Sequence, residues 1–196
     1  MTHDLEYRIY IAVLLITIKL ARWLQHRGES VPPASPDGPD RTDALVALLF
    51  VLVTEGILLG YLLLPRSFMW ASLDWGPGLR RLGLVPGLGA VMLCVAAHRS
   101  LGPDFNVFLQ LRKNHRFITT GPFRYLRHPI YAAGLWMAAA IFLLSANWLV
   151  GGVRGGGAIL FFTWRIRREE AMMCSWIGAP YRHYMATTGR FFPKVL

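Results

Sequence analysis

Cysteine is scarce in this chain: two residues in 196, Cys94 and Cys174, with no CxxC spacing between them. That speaks against a disulfide or a thiolate metal site. Six histidines are present, but no HExxH occurs, and His115 and His128 stand thirteen residues apart in a polar loop, so no metal centre is expected. There is no GxSxG and no Walker sequence. The glycines of GGVRGGG around Arg154 follow no strand, which removes a phosphate-loop reading. Nothing repeats along the chain, and the alternating ten-residue strands of a membrane barrel are missing. Charge is short as well: only 16% of residues are charged while 54% are hydrophobic, outside the balance of a soluble globular protein.

What is present is clustered. Five apolar blocks lie at about 7–24, 44–64, 82–98, 130–150 and 153–168; the middle three are nearly free of charge, and the first and last carry their charges mostly toward their ends. The second, fourth and, with its last turn taken from RIRREE, fifth blocks reach the length needed to cross roughly 30 Å of hydrocarbon. The first lacks the leading positive charge and the small-residue cleavage site of a signal peptide, so it is expected to be a retained span. Gly83, Gly87 and Gly89 in the third are expected to serve close helix packing. The stretch HRGESVPPASPDGPDRTD between the first two blocks is too polar to bury itself and reads as a linker. Trp70 and Trp75, between the second and third, read as interfacial anchors. The expected fold is an all-α integral membrane domain over 1–196, five helices with a polar loop and a C-terminal amphipathic segment on one side.

Five spans divide the 21 Lys and Arg residues into 16 on one side and 5 on the other. The positive-inside rule puts the first group in the cytoplasm and the N-terminus outside. The formal charge of +10 is then mostly a cytoplasmic face toward anionic lipid, and nucleic acid is not needed to explain it. Glu55, inside the second block, is expected to pair with a neighbour rather than act as a lone intramembrane acid.

The fourth and fifth blocks form a hairpin, which brings Arg127 and His128 near Arg165–Glu170. Arg and Lys at such a boundary have a plain explanation in snorkelling to headgroups. Adjacent carboxylates, Glu169 and Glu170, do not. Pro129 reads as the first residue of a helix, where a missing N–H costs nothing, and it turns His128 out of helical geometry.

The stretches LGPDFNVFLQLRKNHRFITTGPFRYLRHPIY, then ANW, then RREEAMMCSWIGAPYRHYMATTGRFFPKV carry a resemblance. Together they cover Leu101 to Val195, about half the chain, and are similar to the isoprenylcysteine carboxyl methyltransferase family, in particular its small five-span prokaryotic members. The resemblance implies a catalytic cassette at 101–196 that uses S-adenosylmethionine to esterify the C-terminal carboxylate of a prenylated cysteine or similar lipid-linked acceptor. The same cassette resembles phospholipid N-methyltransferases and, more distantly, membrane sterol reductases. An amine acceptor, or a reductase or binding protein of related fold, therefore stays open at this point.

By the same resemblance, His115, Phe117, Ile118, Phe123, His128, Pro129, Tyr131, Glu169 and Glu170 would line the cofactor; Arg127, Arg165 and Glu170 are the expected catalytic residues. An Arg fork suits a carboxylate better than a Lys, and Arg127 or Arg165 is expected to hold it. One of Glu169 and Glu170 is expected at the cofactor ammonium, the other paired with Arg165 or Arg168, because consecutive helical positions point about 100° apart. The family commonly has Tyr where this chain has Phe123, so no hydroxyl is available there. Tyr181 and Tyr184 are expected on one face of a short interfacial helix forming a wall of the site. The acceptor's lipid would enter sideways from the bilayer.

Overall fold

A computed structural model of the chain describes residues 2–26, 41–101 and 117–194. The linker from 27 to 40, and His115 with the loop from 102 to 116, lie outside the described residues. The elements are α1 (Thr2–His26), α2 (Arg41–Leu63), a 3₁₀ turn (Pro65–Ala71), α3 (Pro77–Arg81), α4 (Leu84–Leu101), a second 3₁₀ turn (Gly121–Arg124), α5 (Pro129–Ser145), α6 (Trp148–Ile177) and α7 (Ala179–Thr187). No strand occurs among the described residues, and the all-helical expectation holds.

The long helices pack in a row. α4 and α5 lie together, α1 covers both, α6 packs on α5, and α2 leans on α6. Tyr7, Ile11 and Leu14 of α1, Cys94 of α4 and Met137, Ile141 and Leu144 of α5 form the core. Small residues set the spacing between helices. A Cβ at Gly83 would meet the Ala140 carbonyl at 2.9 Å, and one at Gly87 would meet Leu14 Cδ1 at 2.6 Å, as the close-packing reading of these glycines requires. Glu55 bonds Arg154 Nη1 at 2.9 Å, so the acid in α2 is paired.

Outside this core the surface is apolar. Leu49 and Leu52 of α2, Val85 and Met92 of α4 and Leu160 of α6 are all exposed. Water would penalise such a continuous surface, and hydrocarbon would not. α2, with mean hydropathy 2.3, and the α3–α4 stretch Pro77–Leu101, with mean hydropathy 1.5, are each long and apolar enough to cross a membrane.

The α5–α6 hairpin corrects one expectation. Blocks at 130–150 and 153–168 place the break at GGVRGGG, yet the chain turns at Ser145–Asn147 and those glycines lie inside α6. Glycine costs about 1 kcal/mol in a helix interior, which is why the run reads as a break. Two local devices override it. Ala146 takes a left-handed conformation (φ 45°, ψ 45°), and Asn147 caps α6 by accepting from Val150 N at 3.1 Å while donating to Phe68 O at 2.8 Å. Gly151 then has a packing reason, because a Cβ there would lie 2.0 Å from Phe142 Cδ2.

The consequence is a long lever. α6 has 30 residues against 17 in α5. At 1.5 Å per residue it extends roughly 20 Å past its partner. Its last four turns carry Arg165, Glu169 and Glu170 beyond the start of α5, to the end of the bundle where His128 sits.

Candidate active site

Gly121, at φ +60°, and Pro122 turn the chain into a 3₁₀ turn, after which it runs to Pro129 at the first position of α5. His128 precedes the helix at φ −125°, ψ 62°, turned out of α geometry by the proline as expected. Its side chain is buried. The backbone N–H groups of this stretch are satisfied by the distant chain end: Arg127 N donates to Gly189 O at 2.7 Å, and His128 N donates to Arg190 O at 3.2 Å. At Gly189 a Cβ would fall 1.7 Å from Phe192 O, so only glycine fits this crossing.

Glu170 binds the pieces together. Its Oε1 accepts from Arg127 Nε at 3.0 Å and from Arg190 Nε at 3.2 Å, and lies 3.3 Å from His128 Nε2. Its Oε2 accepts from Arg190 Nη2 at 2.6 Å. Arg127 also donates from Nη1 to the carbonyls of Met185, at 2.7 Å, and Thr188. Burial pushes the Glu170 carboxyl up, but hydrogen bonds from His128 and Arg190 and the charges of Arg127 and His128 outweigh it, leaving a pKa lowered from 4.5 to about 2. The carboxylate is a fixed anion joining the loop before α5, helix α6 and the chain end.

Its neighbour on α6 does different work. Arg165 Nε donates to Tyr131 Oη at 2.8 Å, and Tyr131 Oη donates to Glu169 Oε2 at 2.8 Å. The Tyr131 ring lies between those of His128 (centroids 5.5 Å apart, 16° between planes) and Phe162 (4.8 Å, 21°). The stack continues toward α2 through Phe50, 6.1 Å from Phe162 and 4.5 Å from Phe161. Beside it, an apolar groove of about 390 Å³ opens between α2 and α6, lined by Val46, Phe50, Val153, Phe161 and Trp164 among others.

α7 closes the third side. Tyr181 and Tyr184 share its buried face, as the sequence pattern suggests, and the Phe117 ring meets both edge-on at 5.6 and 5.2 Å. Tyr184 Oη donates to the carbonyl of Phe123. Burial raises both phenols, Tyr184 to about 12 and Tyr181 higher still, with Glu169 and Glu170 adding to Tyr181.

Phe117, Phe123, Arg127, His128, Pro129, Tyr131, Arg165, Glu169 and Glu170 thus meet at one end of the bundle. Ile118 lies beside Phe117, half-buried. Two expectations change. Glu170 pairs with Arg127 and Arg190 instead of Arg165 or Arg168; Arg168 bonds Asp43 of α2 at 3.1 Å. Arg127, one of the two arginines expected to hold the acceptor, is buried and donates to Glu170 and two carbonyls, which the expectation did not include. Arg190 was missed. Its only sequence signal is a cation directly after the glycine that ends TTG.

Residues 84–175 match the model of the "Isoprenylcysteine carboxyl methyltransferase (ICMT) family". Curated relatives are the protein-S-isoprenylcysteine O-methyltransferase of Tribolium castaneum, 27% identical over 61% of this chain and 45% of its own length, and that of Mus musculus, 26% over 61% and 43%. Protein-S-isoprenylcysteine O-methyltransferase A of Arabidopsis thaliana is 25% identical over 76% of this chain and 80% of its own length. The chain spans under half the length of the Tribolium and Mus proteins. In three dimensions it shares the fold of a eukaryotic intramembrane Ras methyltransferase ICMT, with TM-score 0.58 and 21% identity over 89% of this chain and 60% of that one. The matched stretch begins with α4 and ends beyond the Glu169–Glu170 pair, and across it the chain resembles the isoprenylcysteine carboxyl methyltransferase family.

Proposed function

We propose that the chain is a membrane-embedded methyltransferase that esterifies the carboxylate of a prenylated cysteine, or a similar lipid-linked acceptor, with S-adenosylmethionine as methyl donor. The observation that carries the reading is the meeting of the His128–Tyr131 stretch with the Glu169–Glu170 pair at the end of an apolar helical bundle. When bound, S-adenosylmethionine supplies a methyl group activated by its sulfonium leaving group.

The residues fit such a donor. Glu170 is neutralised by Arg127 and Arg190, so Glu169, held by the Tyr131 hydroxyl, is the carboxylate suited to an ammonium group. Phe117, Tyr181 and Tyr184 offer an aromatic wall for a flat heterocycle, and His128, Pro129, Ile118 and Phe123 border the same space.

A carboxylate acceptor is ionised at neutral pH and needs no general base. The protein's contribution is therefore alignment and exclusion of water, which together can lower a barrier by several kcal/mol. Arg165, oriented by Tyr131 beside the Phe161 ring, is suited to hold the acceptor carboxylate. The groove between α2 and α6 leads the hydrocarbon chain in from the bilayer. Glu170, expected to be catalytic, acts here as a positioning residue, because its contacts are to the protein's own Arg127, Arg190 and His128. In this reading α1, α2, α3–α4, α5 and α6 cross the membrane, with the N-terminus outside and the His128 end in the cytoplasm.

The test uses purified protein in detergent with radiolabelled S-adenosylmethionine and N-acetyl farnesylcysteine. A base-labile methyl ester, identified by mass spectrometry, is the expected product, and His128→Ala and Glu170→Ala each lower the rate at least about tenfold. Absence of donor binding by calorimetry, or full activity in both variants, would sink the proposal.

A further inference from the structure

Around Glu170 the charges do not balance. Two guanidinium groups, Arg127 and Arg190, face one carboxylate. Arg127 is 7% exposed and spends its donors on Glu170 and two backbone carbonyls, whereas the Arg190 side chain is 49% exposed. Arg190 grips Glu170 through Nε and Nη2. A guanidinium carries five N–H donors in a plane, so this grip uses one edge and leaves Nη1 and the second Nη2 hydrogen as another fork. Among the described residues nothing takes that fork. The clamped edge fixes the plane of the group, so the open edge is pre-aimed and loses little entropy on meeting a planar anion. Arg190 also lies outside the family-matched stretch 84–175.

We propose that Arg190 is a carboxylate-recognising residue of this site: anchored to Glu170 by one edge, it binds with the other the carboxylate of a substrate. The inference rests on the methyltransferase reading. That reaction brings two carboxylates to the site, the α-carboxylate of the methyl donor's methionine moiety and the carboxylate of the lipid-linked acceptor, and the chemistry at Arg190 is the same for both. No covalent step is assigned to it. A lysine in its place keeps the charge against Glu170 but, as a point charge, offers no second planar fork.

The experiment compares wild type, Arg190→Lys and Arg190→Ala in detergent. It measures the Kd of S-adenosylmethionine and of its decarboxylated analogue by calorimetry, kcat and KM for N-acetyl farnesylcysteine, and thermal melting. Arg190→Lys is expected to melt near wild type and to weaken one carboxylate-bearing ligand about tenfold, with kcat changed less than about threefold. If the Kd of the full donor rises while that of the decarboxylated analogue does not, the partner is the donor. If only the acceptor's KM rises, the partner is the acceptor. Unchanged Kd and KM in Arg190→Lys overturn the assignment. So does an equal loss for donor, decarboxylated donor and acceptor together with a lower melting point, which is the signature of a purely structural ion pair. A wild-type protein that binds no donor overturns the methyltransferase reading and this assignment with it; a wild type that binds while Arg190→Lys binds equally well overturns only the assignment.

Discussion

Glu169 and Glu170 are chemically identical and adjacent, yet their surroundings separate them. Glu170 is buried among Arg127, His128 and Arg190, while Glu169 receives a single phenol. Because the folded-state pKa of Glu170 is lowered to about 2 from 4.5, the unfolded chain binds more protons than the folded one between those values. The stability it contributes is therefore fully present above about pH 4.5 and is lost as pH falls toward 2. Glu170→Gln leaves the buried Arg127 without its anion and is expected to cost roughly 3 kcal/mol at pH 7. Thermal melts of both proteins from pH 7 to pH 3 check the sign: the gap between them should narrow below pH 4.5, and a gap independent of pH would refute the charge assignment.

At the scale of elements, the turn between α5 and α6 decides where the site lies, since moving it would slide α6 along α5 by 1.5 Å per residue. Asn147→Ala removes a helix cap and a bond to Phe68 O, with an expected loss of about 1–2 kcal/mol. Gly151→Ala should cost more, because its methyl group must displace the Phe142 ring, and denaturant or thermal melts rank the two. This turn also marks how far the sequence could be read. The apolar blocks announced the helices, because length and lack of charge are local properties. The end of α5 was misplaced because glycine propensity is local too, and tertiary contacts of Asn147 and Gly151 overrode it. The site divides the same way. Pro129 and His128, and the split between Glu169 and Glu170, were legible from neighbours in sequence. The partnership of Glu170 with Arg190 was not, because it depends on how α7 folds the chain end back across the loop.

Over the whole molecule, the two ends of the bundle differ in charge. At the Ala146 end Arg80 is buried against Leu144 O and bonded to Asp4 at 2.8 Å, Arg81 pairs with Glu6 at 3.4 Å, and Arg8 donates to Leu62 O. Acids answer two of these three cations, so this end carries little net charge. The His128 end carries Arg124, Arg167, Arg182 and Lys194 besides the site itself. Positive residues resist translocation, so the His128 end should stay in the cytoplasm. Single cysteines at exposed positions test this, with Cys94→Ala and Cys174→Ser as background. In intact bacterial spheroplasts a membrane-impermeant maleimide should label Ser67→Cys, on the 3₁₀ turn after α2, and should reach Arg182→Cys on α7 only after lysis. The reverse pattern would overturn more than the topology. On the methyltransferase proposal the donor, S-adenosylmethionine, is a charged, water-soluble molecule of the cytoplasm, and a site facing outward would not be supplied with it.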